Sequence, residues 1–192
     1  MIGSWNVEIH TNSFPQKIAS ALGSLSEKIV GAEYEPIAYL GSQIVNGTNH
    51  AVLAEQIVTT GRDTKNIVML TFNEKPNNME PTLIGIDRLV EGGVGFGGAQ
   101  IDVHTDIPAD FMTKWNEAFE GFVGAGVEPF ALLGTQVTNG ENLIFAATSI
   151  PVAPNAQKKV VIVTINTSTK RVCIADVLNS KQTNSLGYAF NW

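Results

Sequence analysis

Apolar residues fall along this chain in two patterns that take turns. Between residues 14 and 30 they recur at Ile18, Leu22, Leu25 and Ile29, the stripe of one helix face. Phe111, Trp115, Ala118 and Phe122 form a second stripe with the same spacing. Elsewhere they gather into runs of strand length, such as I-A-Y-L, A-V-L-A, I-V-M-L, L-I-F-A-A and V-V-I-V. The strands expected after the first helix lie at roughly 35–45, 48–60, 66–74 and 81–90. After the second they lie at roughly 128–138, 141–152, 158–166 and 171–178. A short leading strand, near 4–11 or 99–105, precedes each helix. Ser13 with Gln16 has capping-box spacing, and Asp106 before Pro108 is the N-cap expected for the second helix. Gly31 and Gly124 are the expected helix stops.

The two halves repeat one another at a spacing of 93. Residues 35–54 and 128–147 are identical at ten of twenty positions without a gap. The register continues through Pro15 and Pro108, and through I-V-M-L-T-F-N at 67–73 and V-V-I-V-T-I-N at 160–166. With a one-residue shift His10-Thr11 matches His104-Thr105. Such a period is too long for a solenoid unit and indicates a duplicated domain. The division expected is 1–92 and 93–192, each an α+β unit with one helix on a four- to five-stranded antiparallel sheet. The Gly-rich stretch E-G-G-V-G-F-G-G at 91–98 is the expected flexible joint. An aromatic tail, Y-A-F-N-W, closes the second half and has no counterpart in the first.

Charged residues make up 16%, below the roughly 25% of an ordinary soluble chain. The polar surface is therefore built from Asn, Thr, Ser and Gln, which suits contact with another protein. Net charge is −6 and no basic cluster tracks a phosphate backbone, so nucleic acid is not an expected partner. No apolar run is long enough to span a bilayer, and no membrane is expected. The start, M-I-G-S-W-N-V, lacks the basic and apolar regions of a leader, which favours the cytoplasm.

No catalytic, metal or cofactor motif stands out. A single cysteine, Cys173, excludes an intrachain disulfide, and its apolar run V-C-I-A reads as an inert core thiol. His10, His50 and His104 lack metal-ligand spacing. Gly93, Gly95 and Gly98 spell G-x-G-x-x-G, but a strand follows where a dinucleotide fingerprint needs a helix. Asp87 and Asp176 recur in similar contexts and read as solvated strand positions. No catalytic residue, no metal and no cofactor are expected, and the chain does not read as an enzyme.

The stretch Q-I-V-N-G at 43–47 is the most informative. Asn46-Gly47 between apolar runs predicts a two-residue hairpin, because both residue types tolerate positive φ. With one helix ahead and strands behind, Q-I-V-N-G-T-N-H-A-V resembles the cystatins and stefins, inhibitors of papain-like cysteine proteases. Gln43, Val45 and Gly47 fill the fixed positions of that family's Q-x-V-x-G loop. The resemblance covers about 1–90 and 97–178. Residues 70–84 resemble the segment holding the second binding hairpin, and Gly3 stands where the family keeps an N-terminal glycine.

The resemblance implies two tandem cystatin-like domains and a wedge of three backbone segments closing a protease cleft. Its residues would be Gly3, Gln43, Ile44, Val45, Asn46 and Gly47, with Pro76 and Asn77 from the second hairpin. The weaker equivalents are Gly97, Gly98, Gln136, Val137, Thr138, Asn139 and Gly140. Thr138 replaces the valine, the second hairpin N-T-S-T-K is short, and neither copy has the family's Pro-Trp. A tight tip presents rigid main chain, Val45 would bury its methyls on the enzyme, and Gln43 would stiffen the loop. The alternative is a non-inhibitory scaffold or binding module on the same fold, with Asn-Gly serving turn geometry alone.

Overall fold

In the computed structural model the described residues are 3–59, 64–76, 80–93 and 97–179. The first half runs β1 (Trp5–His10), α1 (Gln16–Ser26), β2 (Ala32–Val45), β3 (Gly47–Val58), β4 (Thr64–Glu74) and β5 (Thr82–Val90). The second half runs β6 (Ala99–His104), α2 (Ala109–Phe119), β7 (Ala125–Thr138), β8 (Gly140–Pro151), β9 (Lys159–Asn166) and β10 (Val172–Asp176). Each half forms its own five-stranded antiparallel sheet, ordered β1-β2-β3-β4-β5 and β10-β9-β8-β7-β6. The α+β class holds, with one helix per sheet. Among the described residues, no helix is long and apolar enough to cross a membrane.

The repeat extends to irregularities. Register shifts between Pro36 and Ala38 and between Tyr39 and Gly41 recur between Pro129 and Ala131 and between Leu132 and Gly134. Gly41 (φ +144°) explains the second shift: a Cβ there would stand 2.1 Å from the Asn6 carbonyl oxygen of β1. Only glycine lets the neighbouring strand come so close.

The helices start and stop differently from expectation. Pro15 and Pro108 occupy the N-cap positions, with no side-chain cap hydrogen bond. Ser13 and Asp106 therefore each lie two residues too early to cap. The helices end at Ser26 and Phe119, several residues before Gly31 and Gly124, whose positive φ shapes the entry to β2 and β7. Ile18, Leu22, Leu25 and Trp115 are buried as the stripes predict, while Phe122 lies past its helix and is exposed. Cys173 is half-buried on the edge strand β10, where the core reading expected full burial.

The largest departure concerns the core. On β3 and β4, Val52, Ala54, Val68, Leu70 and Phe72 pack under α1. The alternate residues Ala51, Leu53, Ile67 and Met69 point the other way, and they are equally buried. They share one buried cluster with Ala131, Leu133, Ile144, Ala146, Val160 and Ile162 of the second half. The remaining cluster joins Trp115 to Leu132, Phe145 and Val163 beneath α2. The layers are thus helix, sheet, sheet, helix, and the two repeats meet through their sheets. Two cores isolated from one another were expected; burial of both faces of the central strands produces a third between them.

The joint is also tied down where it is described. The Gly92 amide donates to the buried Asn66 Oδ1 at 3.1 Å, and the Gly93 amide to the Ala99 carbonyl at 3.1 Å. Residues 94–96 lie outside the described residues, as do Asn77 and the aromatic tail from 180 onward.

Candidate functional site: the hairpin edges

The first hairpin is tighter than a two-residue turn. Val45 pairs with Gly47, leaving Asn46 alone between β2 and β3. Gly47 has φ +95°, whereas Asn46 is not left-handed. A Cβ at Gly47 would also meet the Glu74 carbonyl oxygen at 2.3 Å. Gly47 thus serves conformation and closeness together. Ile44 is 68% exposed and Val45 39% exposed, so the tip presents two apolar side chains to solvent.

A chain of side-chain amides holds that tip. Gln43 Nε2 donates to the Gly3 carbonyl oxygen at 2.7 Å, and Asn49 Nδ2 donates to Gln43 Oε1 at 3.0 Å. Asn73 Nδ2 then donates to Asn49 Oδ1 at 2.8 Å and reaches the Asn46 carbonyl oxygen at 3.4 Å. The Gly3 amide adds a backbone bond to the Ile44 carbonyl at 3.2 Å. Gln43 and Asn49 each use the NH₂ forward and the carbonyl backward, and Asn73 donates twice through its NH₂, which fixes the orientation of all three. The N-terminal segment, the first hairpin and the end of β4, from which the second hairpin starts, are thereby joined at one edge.

This chemistry explains the glutamine. A glutamate at 43 could accept from Asn49 but could not donate to Gly3, and an asparagine would be one carbon short. Pro76, exposed beyond the end of β4, belongs to the same edge. At the far side of that loop Lys28, past the end of α1, pairs with Glu80 at 2.7 Å.

The second half repeats the side-chain bonds of the clamp. Gln136 donates to Gly97 at 2.7 Å, Asn142 to Gln136 at 3.0 Å, and Asn166 to Asn142 at 2.8 Å and to Asn139 at 3.4 Å. Asn166 Oδ1 also accepts from the Ser168 and Thr169 amides at 3.1 and 2.9 Å, which makes the short N-T-S-T-K hairpin a capped turn. Val137 is 62% exposed at this tip. Gly140 repeats φ +95°. Gly98 packs on Gly93, where a Cβ would meet the carbonyl oxygen at 2.6 Å. It is a packing residue of the link rather than part of a free arm.

Thr138, which replaces the valine at the second tip, has its Oγ1 already covered by the protein, with no hydrogen-bond partner among the described residues. Its water is lost on folding, not on binding.

The clamp asparagines Asn49, Asn73, Asn142 and Asn166 were not among the expected site residues. Their signal was present, since each pair recurs at the 93-residue spacing inside otherwise apolar strands. Among the described residues, no group of three or more His, Cys, Asp and Glu side chains could hold a metal ion. A polar cleft of about 410 Å³ opens at the seam, lined by Glu35, Glu55, Lys65 and Asp102 among others. Lys65 Nζ fills its acidic floor, 2.6 Å from Glu55 Oε1. No protein-family model matches the chain, and no curated protein matches it significantly.

Proposed function

We propose that this chain is a tandem cystatin-type inhibitor of papain-like cysteine proteases, acting through the first hairpin edge and without catalysis of its own. The observation that carries this reading is the Gly3–Gln43–Asn49–Asn73 clamp. It sets an exposed apolar tip and an N-terminal segment side by side in fixed geometry. A wedge held in advance loses little conformational entropy on entering a cleft. Ile44 and Val45 supply the apolar contact, and Gln43 acts behind the tip as a strut.

In this reading the second edge is the weaker one. Its arm at Gly97 is continuous with a link whose Gly92 and Gly93 are bonded to β4 and β6. An arm fixed at both ends cannot extend along a cleft.

The same clamp in both halves favours a second reading, a non-inhibitory binding module in which the amide chain serves the fold alone. Titration of papain with the full chain and with Ile44→Asp separates the two. The inhibitor reading expects stoichiometric loss of activity, with Ile44→Asp weaker by roughly a hundredfold or more, since a carboxylate would be buried unpaired. No inhibition at high micromolar concentration removes it.

A further inference from the structure

Behind the first tip lies a second polar chain that the clamp does not use. The Tyr39 hydroxyl is 3.0 Å from His50 Nδ1, and His50 Nε2 is 3.0 Å from Glu74 Oε2. Lys17 Nζ of α1 reaches the same carboxylate oxygen at 2.8 Å. Tyr39 and His50 are buried, and the Phe72 ring lies 5.3 Å from the imidazole. His50 directly follows Asn49 and Glu74 directly follows Asn73, so the two chains share strand positions. At the matching places, each 93 residues on, the second half has Leu132, Leu143, Thr167 and Asp110. The duplicated clamp thus has this polar backing in one copy only.

The proton positions follow from the partners. A carboxylate only accepts, so Nε2 carries the proton of the neutral imidazole and Nδ1 accepts from Tyr39. A second proton on Nδ1 makes both ring nitrogens donors. Tyr39 must then turn its own proton elsewhere and accept from Nδ1, so the bond reverses direction and the hydroxyl proton needs a new partner. The titratable and charged groups around the imidazole are Tyr39 on β2, Glu74 on β4 and Lys17 on α1. Glu8 and His10 on β1 lie behind Tyr39, with the His10 ring 5.9 Å from it.

We propose that Tyr39, His50 and Glu74 form an acid-sensitive latch whose protonation loosens the adjoining Asn49–Asn73 clamp, so that the first tip softens in acid and the second does not. Burial disfavours the imidazolium and outweighs the help of Glu74, holding His50 below its ordinary value of 6.5. The unfolded chain therefore binds this proton more readily than the folded one. The latch's contribution to stability is full above pH 6.5 and is lost as pH falls below it towards the folded value. Any effect on protease binding rests on the inhibitor reading; the latch itself is a property of the free protein.

The test is an NMR titration of the full isotope-labelled chain from pH 8 to 5, following the imidazoles and the backbone amides. The expected result is a His50 midpoint below 6.5, with the amides of 43–49 and 73–74 shifting at that midpoint and those of 136–142 static. Tyr39→Phe should uncouple the tip amides from His50, and His50→Gln should abolish their transition in case His50→Leu does not fold. His10→Gln should leave it in place. A His50 transition without movement of 43–49, equal movement of both tips, or a transition that survives His50→Gln overturns the latch. Papain titration at pH 7.5 and 5.5 is run beside it. A latch seen by NMR with no inhibition at either pH removes the inhibitor reading alone.

Discussion

Gln43 donates its side-chain amide to the Gly3 carbonyl across 2.7 Å, and Gln136 makes the same bond to Gly97 at the same distance. The glutamine of the hairpin motif therefore faces its own protein and connects backbone segments 40 positions apart in the first half and 39 apart in the second. That pairing makes the segment at Gly3 part of an edge. It also separates the residues that would touch a partner, Ile44 and Val45, from those that position them.

Replacing the strut should weaken binding more than it weakens the fold. Gln43→Glu retains the acceptor for Asn49 but sets a carboxylate oxygen against the Gly3 carbonyl. The loss is about 1–3 kcal/mol locally, which is roughly tenfold to a hundredfold in affinity if the arm contributes to docking. Hydrogen exchange at the Gly3 and Asn49 amides should accelerate while the β3–β4 core amides hold. Unchanged papain affinity together with faster exchange at Gly3 would remove the arm from the wedge.

Trp115 is 3% exposed, its ring stacked on Phe119 at 4.5 Å and edge-on to Phe145 at 5.0 Å. Trp115→Ala should cost about 3–5 kcal/mol, because the cavity beneath α2 cannot close without moving the sheet. Denaturant unfolding followed by circular dichroism measures the loss, and iodide quenching should not reach this tryptophan in the native chain.

The seam changes what a separated half should do. Residues 1–92 alone would uncover Leu53, Ile67, Met69 and their neighbours, all buried in the full chain. An apolar sheet face of that kind associates in water. Light scattering should find this fragment dimeric or aggregated, and Leu53→Asp within the full chain should destabilise both halves together. A monomeric, cooperatively folding 1–92 would show that the seam is dispensable.

Much of this fold is written in local pattern. The helix stripes and the places of both tips follow from Ile18, Leu22 and Leu25, from Trp115, and from Asn-Gly at 46–47 and 139–140, and the order of elements along the chain from the apolar runs between them. The seam was also present, as runs such as A-V-L-A and V-V-I-V, whose continuous rather than alternating hydrophobicity marks burial on both faces. Period alone does not say what covers the second face, so a strand run read as core left the sheet pairing unassigned. The clamp and the latch were harder to see. Asn49 meets Asn73, and His50 meets Glu74, only after β3 and β4 pair, and nothing within a local window links residues 24 positions apart.

The Thr138 hydroxyl is covered and lacks a partner among the described residues, at the position where the first half carries Val45. A buried hydroxyl without a hydrogen bond costs about 1–3 kcal/mol, and valine has nearly the same shape without that group. Thr138→Val should therefore stabilise the chain by about 1 kcal/mol, read as a higher denaturant midpoint at constant slope. It should not create a second inhibitory edge, because the restraint on that side lies in the link at Gly92 and Gly93. Val137→Asp should leave papain inhibition nearly intact, whereas Val45→Asp or Ile44→Asp should remove most of it. These substitutions are safer probes than changes at Gly47, where any side chain meets the Glu74 carbonyl and disturbs the hairpin itself. If Thr138→Val instead doubled the number of protease molecules bound per chain, the valine and not the tethered arm would set the asymmetry between the halves.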